Sequence, residues 1–383
     1  MSNTIKLYYK DAYIQEFNAV VEECRPRDDK YAVILDRTAF YPEGGGQPGD
    51  IGVLGDTVVS DTIEEDDTIL HIVDKPLPAG ETVTGKIDFD RRFDFMQQHS
   101  GEHIVSGLVH AAFGYNNVGF HMGSDVVTID FDGLLTEDDL RRIEEEANRR
   151  VWNDREIEIL YPDEQELAAM EYRSKKELTG QVRIVVFPET DACACCGTHV
   201  SRTGEIGLVK ILSAVKFRSG VRVEMISGRR AYNYLSMTAD QNHRISVLLS
   251  AKPGETADAV LHMQEENYRL RGEVLRLEEA SYAAEAHLHE GEGSVLLFRE
   301  GMSADGVRKL TDAVMKTCQG CCAVFSNNGD GTYKYAMGEQ NGDLRTFTKE
   351  LNTALNGRGG GKPFFVQGSV KSTEEEIRRF FSR

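Results

Sequence analysis

The sequence predicts an α+β fold spread over more than one domain. Three observations predict it. The first ninety residues alternate with a period of two between glycine-rich turns, and the middle of the chain mixes strand and helix periods. A long run of helical spacing then separates that middle from a last stretch in which both periods return. The length, 383 residues, exceeds one ordinary domain. Apolar residues at 40% and charged residues at 28% are enough for a sizeable core and a solvated surface.

Residues 1–90 read as a β-barrel. Short runs such as YAVILD (31–36) and TVVSDTI (57–63) are broken by PEGGGQPGDIG (42–52) and PLPAGE (76–81), with little helical periodicity. Residues 91–230 read as an α+β domain. A helix is expected over 91–113, a strand at DVVTIDF (125–131), and a second helix over 136–154. Thr136 is the expected N-cap of that helix, with Asp138 and Asp139 in its first turn. VRIVVFP (182–188) and GLVKILSAVKF (207–217) follow as strands.

Residues 231–290 read as a helical or coiled-coil linker, interrupted at Pro253–Gly254. From Val260 onward, Met263, Asn267, Leu270, Val274, Leu277, Ser281, Ala284 and Leu288 keep a 3–4 spacing, and Leu261, Tyr268, Leu275 and Tyr282 widen the stripe. Two arrangements fit this pattern equally: a helical hairpin packed on its own chain, or a homodimer seam through residues 255–290. Residues 291–383 return to alternating α and β and close on NGRGGGKPFFVQGSV.

Charge and cysteine usage narrow the function classes. With 44 basic and 63 acidic side chains the net charge is −19, so a nucleic-acid partner has to be met by local basic patches. The chain has no apolar run of eighteen residues and no leader-like start, which predicts no membrane span and a cytoplasmic protein. Six of the seven cysteines fall in two tight clusters, a pattern suited to a reducing compartment and to metal or redox roles.

The chemistry concentrates in two short segments. QQHSGEHIVSG (97–107) sets His99 and His103 one helical turn apart on the same face. DACACCGTHV (191–200) sets Cys195 and His199 four residues apart across a small-residue turn. Each pair is too small to hold zinc alone, and together they make the tetrahedral nitrogen and sulfur set that zinc prefers. Cys193 and Cys196 flank Cys195 and stay open as alternative sulfur ligands. HSGEH is not the zinc-protease H-E-x-x-H, because Glu102 directly precedes the second histidine. Cys318, Cys321 and Cys322 read as buried free thiols before they read as a second metal site.

AFYPEGGGQPGDIG, QQHSGEHIVSG and CACCGTHVSRTGEIGLVKI resemble, in that order, the editing region of alanyl-tRNA synthetase and its free-standing relatives, the trans-editing proteins. GRGGGKPFFVQG resembles the glycine-rich end of the DHH-associated domain that closes the synthetase. The barrel motif begins by residue 40, which leaves no room upstream for a class II aminoacylation domain, and no Asp-His-His motif occurs.

The resemblance implies an α+β chain with four parts. These are a glycine-rich β-barrel (1–90), a zinc-binding editing domain of the type shared with threonyl-tRNA synthetase (91–230), a helical linker (231–290) and a DHH-associated tRNA-binding domain (291–383). It implies an aminoacyl-tRNA deacylase that removes serine, with glycine as a second candidate, from tRNA(Ala), with one zinc ion per chain held by His99, His103, Cys195 and His199. It places His121 in the pocket-lining segment and Thr38 where a serine hydroxyl is read, as the catalytic and selecting residues. Gly44, Gly45, Gly46 and Gln47 would approach the tRNA end, and Arg358, Gly359, Gly360, Gly361 and Lys362 its backbone. It leaves the C-terminal domain as a second possible dimer contact. Cys196 departs from the family, which commonly has glycine there. Two other functions compete: a tRNA-binding or regulatory protein with a structural zinc, and a zinc hydrolase of small amino-acid esters.

Overall fold

A computed structural model describes residues 4–174 and 181–382 of the chain, which divides into two compact units, Met1–His243 and Arg244–Arg383. Eight strands open the first unit: β1 (Ile5–Lys6), β2 (Glu16–Arg27), β3 (Lys30–Leu35), β4 (Arg37–Thr38), β5 (Gly52–Leu54), β6 (Thr57–Glu65), β7 (Thr68–Val73) and β8 (Thr82–Ile87). Six of them pair antiparallel in the closed order β2-β3-β7-β6-β5-β8, and β1 pairs with β4 outside that barrel. Side chains of β2 alternate between exposed and buried as the pleat requires, and Phe17, Val33, Leu35, Phe40 and Leu54 fill the interior. The glycine-rich loop leaves the barrel as a tight turn in which Gly44 and Gln47 exchange backbone hydrogen bonds. Gly45 and Gly46 adopt φ of 61° and 86° there, the left-handed region that glycine enters without a Cβ penalty.

Helix α1 (Phe89–Phe113) follows directly. Asp88 caps its start by accepting from the Arg91 N–H, and Gly114 ends it in the left-handed conformation. Every residue from Phe95 to Val109 is buried, so the helix is enclosed on all sides and does not present one amphipathic face. Its surroundings are β9 (Asn117–Met122), β10 (Val127–Phe131), α2 (Glu137–Trp152), β11 (Glu158–Leu160), α3 (Glu164–Ala169), β12 (Ile184–Phe187), β13 (Asp191–Ala194), β14 (Val209–Phe217) and β15 (Gly220–Ser227). They form a four-stranded sheet ordered β14-β15-β10-β9 and a three-stranded sheet ordered β11-β12-β13. Thr136 caps α2 in a reciprocal capping box with Asp139.

Close approach of α1 to both sheets depends on two of its glycines. A Cβ at Gly101 would lie 2.1 Å from the Ser227 hydroxyl oxygen of β15, and one at Gly107 would lie 2.4 Å from the Thr190 carbonyl oxygen beside β13. Fully buried Arg92 ties the helix to the barrel: its Nε reaches both Asp50 oxygens at 3.0 and 3.1 Å, and it also donates to the Ala12 and Ala39 carbonyls. Removing one partner of such a pair costs about 3–5 kcal/mol.

Helix α4 (Gly228–Leu249) runs from the first unit into the second, which continues with α5 (Thr256–Leu288) after a break at Pro253–Glu255. Strand β16 (Val295–Glu300), α6 (Ala304–Val314), β17 (Cys322–Asn327), β18 (Thr332–Gly338), α7 (Arg345–Ala354), β19 (Arg358–Lys362), β20 (Phe365–Lys371) and α8 (Glu374–Phe381) complete it. Their sheet runs β16-β17-β18-β20-β19, which places the GRGGGK segment on an edge strand with every residue from Arg358 to Lys362 exposed. Of α5, only Tyr282 and Ala286 are buried, packed with residues of α6 and the sheet. No described helix is long and apolar enough to cross a membrane.

Candidate metal centre

His99 and His103 sit in the enclosed middle of α1, and Cys195 and His199 lie on the bend that leaves β13. These two segments are about ninety residues apart in sequence, and the fold brings them together. One ligand atom from each of the four residues lies within 4.8 Å of the others. Cys195 Sγ stands 3.5 Å from His99 Nε2 and 3.6 Å from His199 Nε2. A tetrahedral zinc with Zn–N near 2.0–2.1 Å and Zn–S near 2.3 Å has N···S edges of about 3.6 Å. His103 Nε2 is buried and makes no hydrogen bond to the protein. An orphaned imidazole nitrogen beside a thiol and two further imidazoles is the donor set such an ion fits.

For the two α1 histidines, outer partners fix which ring nitrogen faces inward. His99 Nδ1 lies 3.0 Å from Gln47 Oε1, an acceptor only, so the Nδ1 proton points there and Nε2 turns its lone pair toward Cys195. Gln47 is held in turn: its side-chain amide donates to Thr198 Oγ1 at 2.8 Å, and the Thr198 N–H donates to its oxygen at 3.2 Å. His103 Nδ1 lies 2.9 Å from Asp191 Oδ2, and Arg173 clamps the same carboxylate in two contacts at 2.7 and 2.8 Å. The rings of Phe187 and Phe120 wall the site, the first stacked 5.0 Å from His103 and the second 5.1 Å from His99.

The same contacts set the electrostatics of the cluster. Burial by itself would raise the Cys195 thiol, but the imidazoles packed around it, His99 and His199 first and His103 after them, outweigh it and hold it well below its ordinary value. Burial likewise opposes charge on His103, yet the Asp191 hydrogen bond prevails and lifts it well above the usual imidazole range. His199 has no carboxylate partner, and burial pulls it down to about 3. Asp191 is kept below the ordinary carboxyl value because His103 and Arg173 overcome its own burial.

A cavity of 230 Å³ opens on this cluster, lined by Gly45, His99, Glu102, His103, Arg173, Cys193, Cys195 and Cys196 among others. That is below the roughly 300–1,000 Å³ of sites for drug-sized ligands and suits a group the size of one amino acid. Glu102 is buried in the wall, with Ser106 and Asn117 both donating to its Oε1 at 2.5 Å.

The expected residues distribute unevenly around this cavity. Gly45 lines it, and Gly46 lets the turn press against Phe120, whose ring a Cβ would meet at 2.6 Å. Gln47 holds a ligand histidine in place, a role the sequence reading did not give it. Thr38, on β4, is not among the residues that line the cavity, and its hydroxyl is turned to His71 of the barrel. His71 Nδ1 faces the Val33 carbonyl at 3.0 Å, so Nε2 accepts from the Thr38 hydroxyl at 2.8 Å. Thr38 in turn accepts from the Phe40 N–H at 3.1 Å, which leaves its hydroxyl engaged as both donor and acceptor. His121 of β9 is not among the lining residues either. Successive residues of a strand point to opposite faces, and in β9 it is Phe120 that packs on His99, so the exposed His121 side chain faces away.

Asp191, Arg173 and Glu102 were missed. Asp191 did carry a signal, since D-A-C-A-C places Asp191, Cys193 and Cys195 on one side of an extended strand. Cys321 and Cys322 are pushed up by burial, Cys321 to about 12. The described donor groups that could hold a metal include neither them nor Cys318.

Comparison with known proteins agrees with this architecture. The profile of the threonyl and alanyl tRNA synthetase second additional domain matches residues 182–224, the DHHA1 domain matches 292–383, and the class II (A) tRNA synthetases match 3–91. Alanyl-tRNA editing protein AlaX-L of Pyrococcus horikoshii is 30% identical over 97% of this chain and 96% of its own. Alanyl-tRNA editing protein Aarsd1-A of Xenopus laevis is 31% identical over 67% of this chain and 66% of its own. The alanine–tRNA ligase of Halorubrum lacusprofundi is 31% identical over 96% of this chain but only 42% of the ligase. The chain belongs to the family of alanyl-tRNA editing proteins, in the long form that carries a DHHA1 domain.

Proposed function

We propose that this chain is an aminoacyl-tRNA deacylase acting in trans in the cytoplasm, cleaving the ester that joins serine, and secondarily glycine, to tRNA(Ala). One observation carries the reading: the two histidines of α1 and the Cys195–His199 bend meet at a cavity sized for a single aminoacyl group. His99, His103, Cys195 and His199 would hold one zinc ion. When bound, that ion supplies Lewis-acid polarisation of a carbonyl or a lowered pKa for a water molecule.

The chain's own residues do the positioning. Gln47 and Asp191 fix the histidine tautomers, and Gly45, without a side chain, leaves room for the acyl end at the cavity mouth. Glu102 supplies the carboxylate suited to the ammonium group of the aminoacyl moiety. Phe120 and Phe187 limit water around the ligands and so strengthen each polar contact. Segments 1–90 and 91–230 carry this work, 231–290 connects, and 291–383 presents Arg358 and Lys362 to tRNA phosphates.

The deciding experiment compares release of serine, glycine and alanine from charged tRNA(Ala), with and without chelator. Fast loss of serine, sparing of alanine and chelator sensitivity are expected; equal hydrolysis of serine and alanine sinks the reading. One observation favours a second reading. Four protein donors complete a tetrahedron, which is the pattern of structural zinc. In that case the protein binds tRNA tightly and releases no amino acid even at high enzyme concentration.

A further inference from the structure

The glycine-rich loop helps to wall two recesses. Gly45 lines the metal-centre cavity, and Pro48 lines a second, larger cleft of 580 Å³. Between them Gln47 pins the loop to His99 and Thr198, and the Gly46 carbonyl accepts from the Met122 N–H at 3.1 Å. A Cβ at Gly45 would meet nothing within 4 Å, so the loop offers bare backbone at the cavity mouth. The first turns of α1 and the start of α4 supply the other walls of the cleft. On a straight helix Arg91 lies about 12 Å along the axis from His99.

Charge in the cleft is unevenly committed. Arg230 clamps Asp94 in contacts of 2.6, 3.0 and 3.1 Å. Arg229 reaches Asp90 at 3.1 Å, but these side chains are 61% and 81% exposed, and a pair so hydrated contributes little and is free to exchange. Arg91 forms no ion pair among the described residues. Its guanidinium lies 4.5 Å from the Phe95 ring centroid, and Nη1 donates to the Gly49 carbonyl at 2.6 Å. Those contacts fix its direction and use one of its five side-chain donors.

We propose that this cleft is the subsite for the unpaired nucleotides that precede the aminoacylated one at the tRNA 3′ end. Arg91 and Arg229 take their phosphates, and Asp90 takes the amino groups of their bases. The inference rests on the deacylase reading and extends it. An ester held in the cavity is joined through one ribose to the rest of the strand, which leaves past the mouth where Gly45 has no side chain to obstruct it. The distance from His99 to Arg91 exceeds the reach of a terminal nucleoside and suits the phosphates that come before it. Mixed charge selects a nucleotide over a bare anion. Asp88 and Asp90 would repel a free phosphate, whereas a nucleotide brings acceptor oxygens for arginine and donor groups for a carboxylate. Each base of a CCA end carries an exocyclic amino group.

The test measures binding alone, by fluorescence anisotropy on the full chain, with an acceptor-stem RNA hairpin ending in CCA, in UUU or blunt. The native protein should bind the CCA form about 10-fold more tightly than the blunt form. The UUU form keeps the phosphates and lacks the amino groups, so its affinity should fall between the two. Arg91→Gln/Arg229→Gln should shrink the CCA advantage to about 2-fold or less. Arg229→Gln alone, at an exposed position, should show part of that loss without risk to the fold. A native protein indifferent to the overhang, a CCA advantage undiminished in both variants, or UUU binding equal to CCA would each overturn the proposal. Release of serine from charged tRNA(Ala) is measured in parallel. Its absence, with the CCA advantage intact, would overturn the deacylase reading and leave the subsite standing.

Discussion

His71 is fully buried in the barrel, and that burial lowers its pKa from 6.5 to about 4 despite the Val33 carbonyl. Between these values the unfolded chain takes up a proton that the folded chain refuses. Stability from this residue is therefore complete above pH 6.5 and is lost as pH falls toward 4, by about 3 kcal/mol in all. Unfolding midpoints at about pH 7.5 and about pH 5 should differ more in the native protein than in His71→Gln. Thr38 belongs to the same pair: Thr38→Val should cost about 1–3 kcal/mol of stability and leave serine-over-alanine selectivity unchanged, since it strips a buried acceptor of its donor. Gln47 is a contrasting case, because it acts on the metal centre through His99. Gln47→Ala should weaken zinc binding about 10–100-fold, read by competition against a chromophoric chelator. Gln47 and Thr38 were both expected among the substrate-binding or catalytic residues, and nothing in residue type separates them from that role. Only the hydrogen bonds each one makes show what it does.

At the scale of elements, α1 is the part whose placement decides the site, and its approximate extent and histidine spacing were legible in the sequence. Its complete enclosure was not, because a helix buried all round shows no amphipathic stripe to read. Gly107 makes this testable. A Cβ there would come within 2.4 Å of the Thr190 carbonyl and 2.7 Å of Asp191 Cβ, so Gly107→Ala must push β13 away from the helix. We expect about 1–3 kcal/mol of destabilisation, together with weaker metal binding as Asp191 leaves His103. A drop in thermal midpoint with zinc affinity unchanged would mean that the β13 edge relaxes without moving the carboxylate. Strand β9 gives the complementary lesson. GFHMG reads as a pocket segment, but strand alternation places Phe120, and not His121, against the ligand cluster.

Across the whole molecule, an acidic chain with a net charge of −19 has to meet a polyanion through local basic contacts. The exposed edge strand β19 carries two, Arg358 and Lys362, on a segment where glycine keeps side chains out of the way. Arg358→Glu/Lys362→Glu should weaken tRNA binding and reduce the slope of log K against log salt by about 1–2. Salt titration of binding by fluorescence anisotropy checks this. An unchanged slope would place the contact on another surface.

The sequence by itself determined which segments alternate and which turn helical, where α2 is capped, and which two short segments carry the nitrogen and sulfur donors, with the choice among Cys193, Cys195 and Cys196 left open. These are local properties, set by periodicity, capping chemistry and ligand type within a few residues of each other. The tertiary structure alone decided that Gln47 and Asp191 stand behind the ligand histidines, that Thr38 is taken up by His71, and that His121 faces away. Each of those depends on contacts between segments 33 to 88 residues apart, or on which face of a strand packs inward, and spacing along the chain carries no record of either.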